Sequence, residues 1–129
     1  MIVDSSALVA IALREAGSER VARSLASAVH PSMSAATWLE SGIVLDSRTM
    51  DSGRELDLLL AEFAIAVVPV TFALAQTARA AHRRYGRGSG SRARLNLGDC
   101  FSYALAVTTG DPLLFVGEDF THTDVRSAL

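Results

Sequence analysis

The chain contains no lysine, so all 12 of its basic residues are arginines. It has one cysteine, Cys100, which excludes an internal disulfide and a cysteine-based zinc site. Aromatic residues make up only 6% of the chain. No apolar run approaches the roughly 20 residues that cross a bilayer, and the N-terminus opens on an apolar segment without a basic n-region. These absences predict a cytoplasmic protein that makes no membrane contact. Cys100 lies in an apolar segment and reads as a small core residue.

Against these absences stand 129 residues, half of them apolar and 20% charged, which is enough for one globular domain over 1–129 with a proper core. Net charge is only −2, but its distribution is uneven. Arg79, Arg83, Arg84, Arg87, Arg92 and Arg94 crowd one stretch, and no acid occurs between Glu62 and Asp99. Such a segment suits phosphate contacts. A solvated helix face followed by a loop explains it equally well on charge alone.

Strand and helix patterns alternate along the chain. Met1-Ile2-Val3 is a short buried strand that delivers Asp4 to its C-terminal end, and a helix runs from Ser5 to about Leu13 with Ser5 or Ser6 near its cap. Ser18 caps a second helix to about Val29. Ser32-Met33-Ser34 is a candidate strand. A helix from Ala35 to about Arg48 gathers Ala35, Trp38, Leu39 and Gly42 on one face, with Glu40 beside Ala36, Ile43 and Val44. A carboxylate with those neighbours reads as part-buried, with no helical partner four residues away, although periodicity also allows an exposed helix residue. Ser52-Gly53 opens a helix with Leu56, Leu59, Leu60 and Phe63 inward.

The continuous run from Ala64 to Val70 predicts a strand covered on both faces. Thr71 caps a helix that turns Leu74, Ala78 and Ala81 inward and Arg79, Arg83 and Arg84 outward. Gly86 to Gly90 reads as a mobile basic flap. Asn96 is a natural cap for a helix from Leu97 to about Thr108, with Asp99 placed to bond back to it. Leu113 to Val116 is a further buried strand with Glu118 and Asp119 just beyond, and a segment near Val125 can pair on the sheet edge.

This alternation predicts an α/β fold, a three-layer α/β/α sandwich with a mainly parallel central sheet of four to five short strands. Right-handed crossovers place every strand's C-terminal end on one edge. Asp4, Glu40, Asp99 and Asp119 then converge there with no lysine to neutralise them. Two carboxylates about 4 Å apart repel by roughly 4 kcal/mol at an effective dielectric near 20. A cation among them relieves this, and an all-oxygen donor set suits Mg²⁺ or Mn²⁺. Ser6 is placed to hydrogen-bond a metal water or a carboxylate, or simply to cap its helix.

The opening Ile2-Val3-Asp4-Ser5-Ser6, the mid-chain Trp38-Leu39-Glu40, the block from Ala93 to Ala106 around Leu97-Gly98-Asp99-Cys100, and the stretch from Leu114 to Phe120 resemble PIN-domain ribonucleases. More narrowly, they resemble the VapC toxins of bacterial toxin–antitoxin pairs. The resemblance spans essentially the whole chain. It implies an acidic metal site at Asp4, Glu40, Asp99 and Asp119, with Ser6 as the small hydroxyl residue after the first acid. Glu118 and Asp124 are alternatives for the fourth acid. It further implies endonucleolytic cleavage of RNA dependent on Mg²⁺ or Mn²⁺, inhibition by a cognate VapB antitoxin, a homodimer, and operator DNA contact only through the antitoxin. The Arg79–Arg94 segment would position the RNA backbone.

Other classes fit less well. A phospho-acceptor receiver module needs a lysine, and a haloacid-dehalogenase-type phosphatase needs a second Asp where Ser6 stands. Gly86, Gly88 and Gly90 follow a helix, which is the wrong context for a dinucleotide fingerprint. His30, His82 and His122 share no ligand spacing and read as surface residues. The remaining alternative is a catalytically inactive PIN-like module that binds RNA or protein.

Overall fold

A computed structural model of the chain describes residues 1–48 and 52–129. The elements run β1 (Ile2–Val3), α1 (Ser5–Ala12), α2 (Ser18–Ala26), β2 (Ser32–Ser34) and α3 (Ala35–Asp46). They continue with α4 (Ser52–Glu62), β3 (Ala66–Val68), α5 (Phe72–Tyr85), α6 (Leu97–Thr109) and β4 (Leu113–Leu114). The strands form one parallel sheet in the order β3-β2-β1-β4.

Side chains alternate across the sheet, as the two-residue period of a strand requires. Ile2 and Leu113 face a cluster with Leu74, Ala78, Tyr103 and Ala104. Val3 and Leu114 face the opposite cluster with Leu8, Val21, Leu25 and Leu56. Helices α5 and α6 therefore cover one face and α1, α2 and α4 the other, which is the expected three-layer sandwich. The strand order reverses beside β1, with β2 and β3 to one side and β4 to the other. In open parallel sheets such a reversal leaves a crevice at the C-terminal edge.

Local capping chemistry sets several boundaries. Thr71 accepts from the Leu74 amide and starts α5. Asn96 and Asp99 form a reciprocal capping box at the start of α6. Gly110 ends that helix in the left-handed region, at φ +74°. Beyond β4, the C-terminal segment adds a single parallel bridge between Ser127 and Leu113. Cys100 is buried in the core.

Several expectations are corrected. Helix α2 starts after Gly17, which offers no side-chain cap, and ends at Ala26 instead of near Val29. Strand β3 is an edge strand with Val67 43% exposed, so the apolar run is not covered on both faces. On α3, Trp38 and Leu39 are exposed, and the buried face is Thr37, Ser41 and Leu45. Hydroxyl pairing makes that polar face tolerable. Thr37 Oγ1 lies 2.8 Å from Ser34 Oγ and 3.2 Å from Ser102 Oγ, and Ser41 Oγ donates to the Thr37 carbonyl.

The loop between α5 and α6 is tied down at its base. The Leu95 amide donates to the Tyr85 carbonyl (2.9 Å), and the Arg87 amide donates to the Leu95 carbonyl (3.1 Å). Ala93 and Leu95 are buried. Among the described residues, no helix is long and apolar enough to cross a membrane.

Candidate active site

Asp4 leaves the C-terminal end of β1 and is only 2% exposed. Its Oδ2 accepts from the Ser6 amide (3.0 Å) and the Ser6 hydroxyl (2.6 Å). Ser6 Oγ in turn accepts from the Val116 amide (3.0 Å), just beyond β4. Ser6 thus gives its proton to a carboxylate and ties the β1 exit to the β4 exit across the crevice. Asp4 Oδ1 is buried and has no hydrogen-bond partner. Such an atom is costly unless something cationic meets it.

Glu40 reaches the same edge from the middle of α3, where Ser5 Oγ donates to its Oε2 at 3.0 Å. The carboxylate rests against Gly98 in the first turn of α6. A Cβ at position 98 would overlap both of its oxygens. An added Cβ would displace the Glu40 carboxylate from this position, where the helix N-terminus offers a favourable partial charge. Burial pushes the Glu40 carboxyl above its usual range, the Ser5 bond opposes this, and the charge of Asp4 adds to it.

Asp99 is buried at the start of α6. Its Oδ2 accepts from the Asn96 amide at 2.6 Å, so the capping role uses one oxygen. Burial raises its pKa to about 6, against the opposing bond from Asn96 and with the charges of Asp4, Asp119 and Glu40 adding to the rise. Asp119 is exposed in the turn after β4, next to the buried Phe120, whose ring packs on Phe115. The structure thus brings Asp4, Glu40 and Asp99 together and sets Asp119 within electrostatic range.

Of the alternatives for the fourth acid, Glu118 lines a pocket together with Asp119, whereas Asp124 is engaged by other residues. Asp124 is occupied by Tyr103 Oη (2.7 Å) and Arg84 (3.1 Å). Glu118 is not among the charges acting on Asp99. The arginines also divide. Arg79 and Arg83 are exposed on α5, Arg84 pairs with Asp124 and stacks on Tyr85, and Arg87, Arg92 and Arg94 share a pocket with Asp119.

The donor set fits a hard divalent cation in kind: carboxylates, one buried oxygen without a partner, and no arginine or lysine acting on Asp99 or Glu40. Among the described residues, no three His, Cys, Asp or Glu side chains are grouped so as to hold an ion as they stand. Three contributors escaped sequence reasoning. Ser5 anchors Glu40, and Gly98 makes room for it. The Thr37–Ser102 contact joins α3 to α6 one turn from Glu40 and Asp99. The neighbouring Ser5-Ser6 and Gly98-Asp99 pairs were the available signals.

An acid-edged, four-stranded parallel sheet between two helical layers defines the class, and the model of the PIN domain family matches residues 1–126. The chain belongs to that family and, within it, to the VapC ribonucleases. It is 51% identical over 130 residues to Ribonuclease VapC28 of Mycobacterium tuberculosis, covering 100% of this chain and 98% of the relative. It is 50% identical over 128 residues to Ribonuclease VapC of Mycolicibacterium smegmatis, with 98% of each chain covered. Among solved structures, VapC20 of Mycobacterium tuberculosis, described as a sarcin-ricin loop cleaving toxin, aligns with a TM-score of 0.75 at 18% identity over 96% of this chain and 95% of its own. A toxin–antitoxin complex from Klebsiella pneumoniae aligns at 0.68 and 17% identity, over 95% and 92%. Both show the fold.

Proposed function

We propose that this chain is a Mg²⁺- or Mn²⁺-dependent endoribonuclease toxin that hydrolyses RNA phosphodiester bonds at Asp4, Glu40, Asp99 and Asp119. The observation that carries the reading is the buried Asp4 Oδ1 without a partner, beside an Asp99 whose pKa is raised to about 6. Negative charge held this densely is a site for a cation, and membership among the VapC ribonucleases supports RNA as the substrate.

Each residue has a stated task. Ser6 fixes Asp4 through Oδ2 and leaves Oδ1 without a partner, so that it would be available to hold a cation. Ser5 fixes Glu40 through Oε2, and Asn96 fixes Asp99 through Oδ2. One oxygen of each carboxylate is thereby anchored, and the other remains for binding. When bound, the divalent ion supplies Lewis-acid activation of water and neutralises charge at the phosphodiester. The chain's own contribution is to orient three preset carboxylates, with Asp119 completing the set from a turn.

A cognate VapB-type antitoxin is proposed to inhibit the chain by covering this edge. Support comes from an apolar cleft of about 620 Å³ that includes Leu39, Glu40, Ile43, Leu97 and Phe101, with Leu97 74% exposed. A homodimer, and operator DNA contact only through the antitoxin, complete the proposal.

The test is cleavage of structured cellular RNA with Mg²⁺, with Mn²⁺ and with chelator, beside a folded Asp99→Asn variant. Cleavage should need the metal and fall at least about 100-fold in the variant, since even outer partners of metal ligands are worth 10–100-fold. Intact RNA in every lane, with folding verified, would instead favour the non-cutting module.

A further inference from the structure

The loop that joins α5 to α6 holds three guanidinium groups for which the acidic site has no use. Arg87, Arg92 and Arg94 line an open pocket of about 330 Å³ together with Glu118, Asp119 and His122. The ion pairs among the described residues are Met1–Asp111 and Arg84–Asp124, so none of these three arginines has a carboxylate within 4.0 Å. All three are exposed.

The backbone that carries them is nevertheless held in place. Besides the two bonds at its base, the loop is closed by the Ser89 amide on the Gly86 carbonyl, the Ser91 amide on Ser89 Oγ, and the Ala93 amide on Ser91 Oγ. Arg94 sits at φ +54°, a left-handed conformation uncommon outside glycine, between the buried Ala93 and Leu95. The two buried neighbours hold the backbone there, with Arg94 exposed between them. A backbone fixed beforehand loses little freedom when an anion arrives, so only the arginine side chains have to order. Guanidinium groups also match phosphate oxygens in pairs, which an ammonium cannot.

We propose that this pocket directly seats an RNA phosphodiester adjacent to the one placed at the acids. The inference rests on the ribonuclease reading and deepens it. Asp119 belongs to both regions, so an occupant of the pocket lies beside the acidic site. The acids admit a phosphate only through a cation, whereas the arginines take one unaided. A polymer with phosphates at regular intervals satisfies both at once. The pocket therefore supplies the part of RNA affinity that needs no metal. Of the six clustered arginines, it selects Arg87, Arg92 and Arg94 over Arg79, Arg83 and Arg84.

The test measures binding of short single-stranded RNA to the full chain in chelator, with each phosphodiester replaced in turn by a neutral methylphosphonate. Wild type, Arg92→Gln/Arg94→Gln and Arg87→Gln are compared, with thermal melts to verify folding. Wild type should bind RNA without metal, and the double variant should bind about 10-fold more weakly with a shallower salt dependence. One neutral linkage should weaken wild type about 10-fold and the double variant less than about twofold, because the interaction is already gone. Equal losses in both proteins, or undiminished affinity in both variants, would overturn the proposal. If wild type still cuts RNA in Mg²⁺ under that outcome, the ribonuclease reading stands and only the pocket assignment falls. Wild type that neither binds nor cuts RNA removes both. Inorganic phosphate binding that depends on Arg92 and Arg94 in a chain that ignores RNA would also overturn it, by putting a different phosphate in the pocket.

Discussion

The acidic edge and the arginine segment are built in opposite ways. Asp4, Glu40, Asp99 and Asp119 are scattered over the sequence, yet the parallel sheet and its crossovers bring them to one crevice. Arg79 to Arg94 are neighbours in sequence, yet the fold divides them among an outward helix face, an aromatic–acid network and a pocket beside Asp119. Topology decides which charges work together, and sequence proximity does not. The two regions also differ in how charge is tolerated. Burial and neighbouring negative charge make Glu40 and Asp99 resist ionisation, while the arginines of the pocket lie exposed to water.

The largest effect that would sharpen this contrast is expected at Gly98. Alanine there meets only the end of a flexible side chain, so the helix tolerates it, but the Glu40 carboxylate must move. Gly98→Ala should lower metal-dependent cleavage about 10- to 100-fold with little change in melting temperature. Full activity in this variant would detach Glu40 from the site.

Next comes the pH dependence of stability in chelator. Asp99 loses its proton at about 6 when folded and at 3.8 otherwise. Between those values the folded chain holds a proton that the unfolded chain has released. The group's favourable contribution is therefore complete below 3.8, lost as pH rises to about 6, and absent above. Glu40 is shifted in the same direction. Asp99→Asn removes an effect on the order of 2 kcal/mol. In chelator at pH 7.5 the variant should melt higher than wild type, and near pH 4 the two should converge. A variant less stable at pH 7.5 would contradict the view that the acids strain the metal-free fold.

The smallest effect belongs to the other region. Asp124 accepts from Tyr103 and pairs with Arg84, away from the acids. Tyr103→Phe should cost about 1 kcal/mol of stability, the usual worth of one hydrogen bond, and leave cleavage within about twofold. A large loss of cleavage would bring Asp124 back as a candidate for the site.

Features written in a few consecutive residues were legible in the sequence. Thr71 and the Asn96–Asp99 box follow from local hydrogen-bonding chemistry. The convergence of acids was legible too, because a parallel α/β pattern has one edge for every strand end. What was not legible depends on distant partners. The run from Ala64 to Val70 reads as a central strand, but strand order leaves β3 at the sheet edge. Gly86 to Gly90 read as a mobile flap, and what the sequence does not show is that Tyr85 and Leu95 close the loop across its base. Trp38 and Leu39 form an apolar stripe, yet α3 buries hydroxyls because Ser34 and Ser102 meet Thr37. The pairing of Asp124 with Tyr103 and Arg84, and the room Gly98 leaves for Glu40, likewise exist only once the layers are packed.

The most direct test of the central claim, that separate acids jointly hold a divalent cation, is anomalous diffraction from crystals of the chain soaked in Mn²⁺. The account predicts a manganese peak bounded by Asp4 Oδ1 and the free oxygens of Glu40 and Asp99, and its loss in Asp4→Asn. No peak at that edge in crystals of the wild-type chain saturated with Mn²⁺, or a peak that persists unchanged in Asp4→Asn, would contradict it.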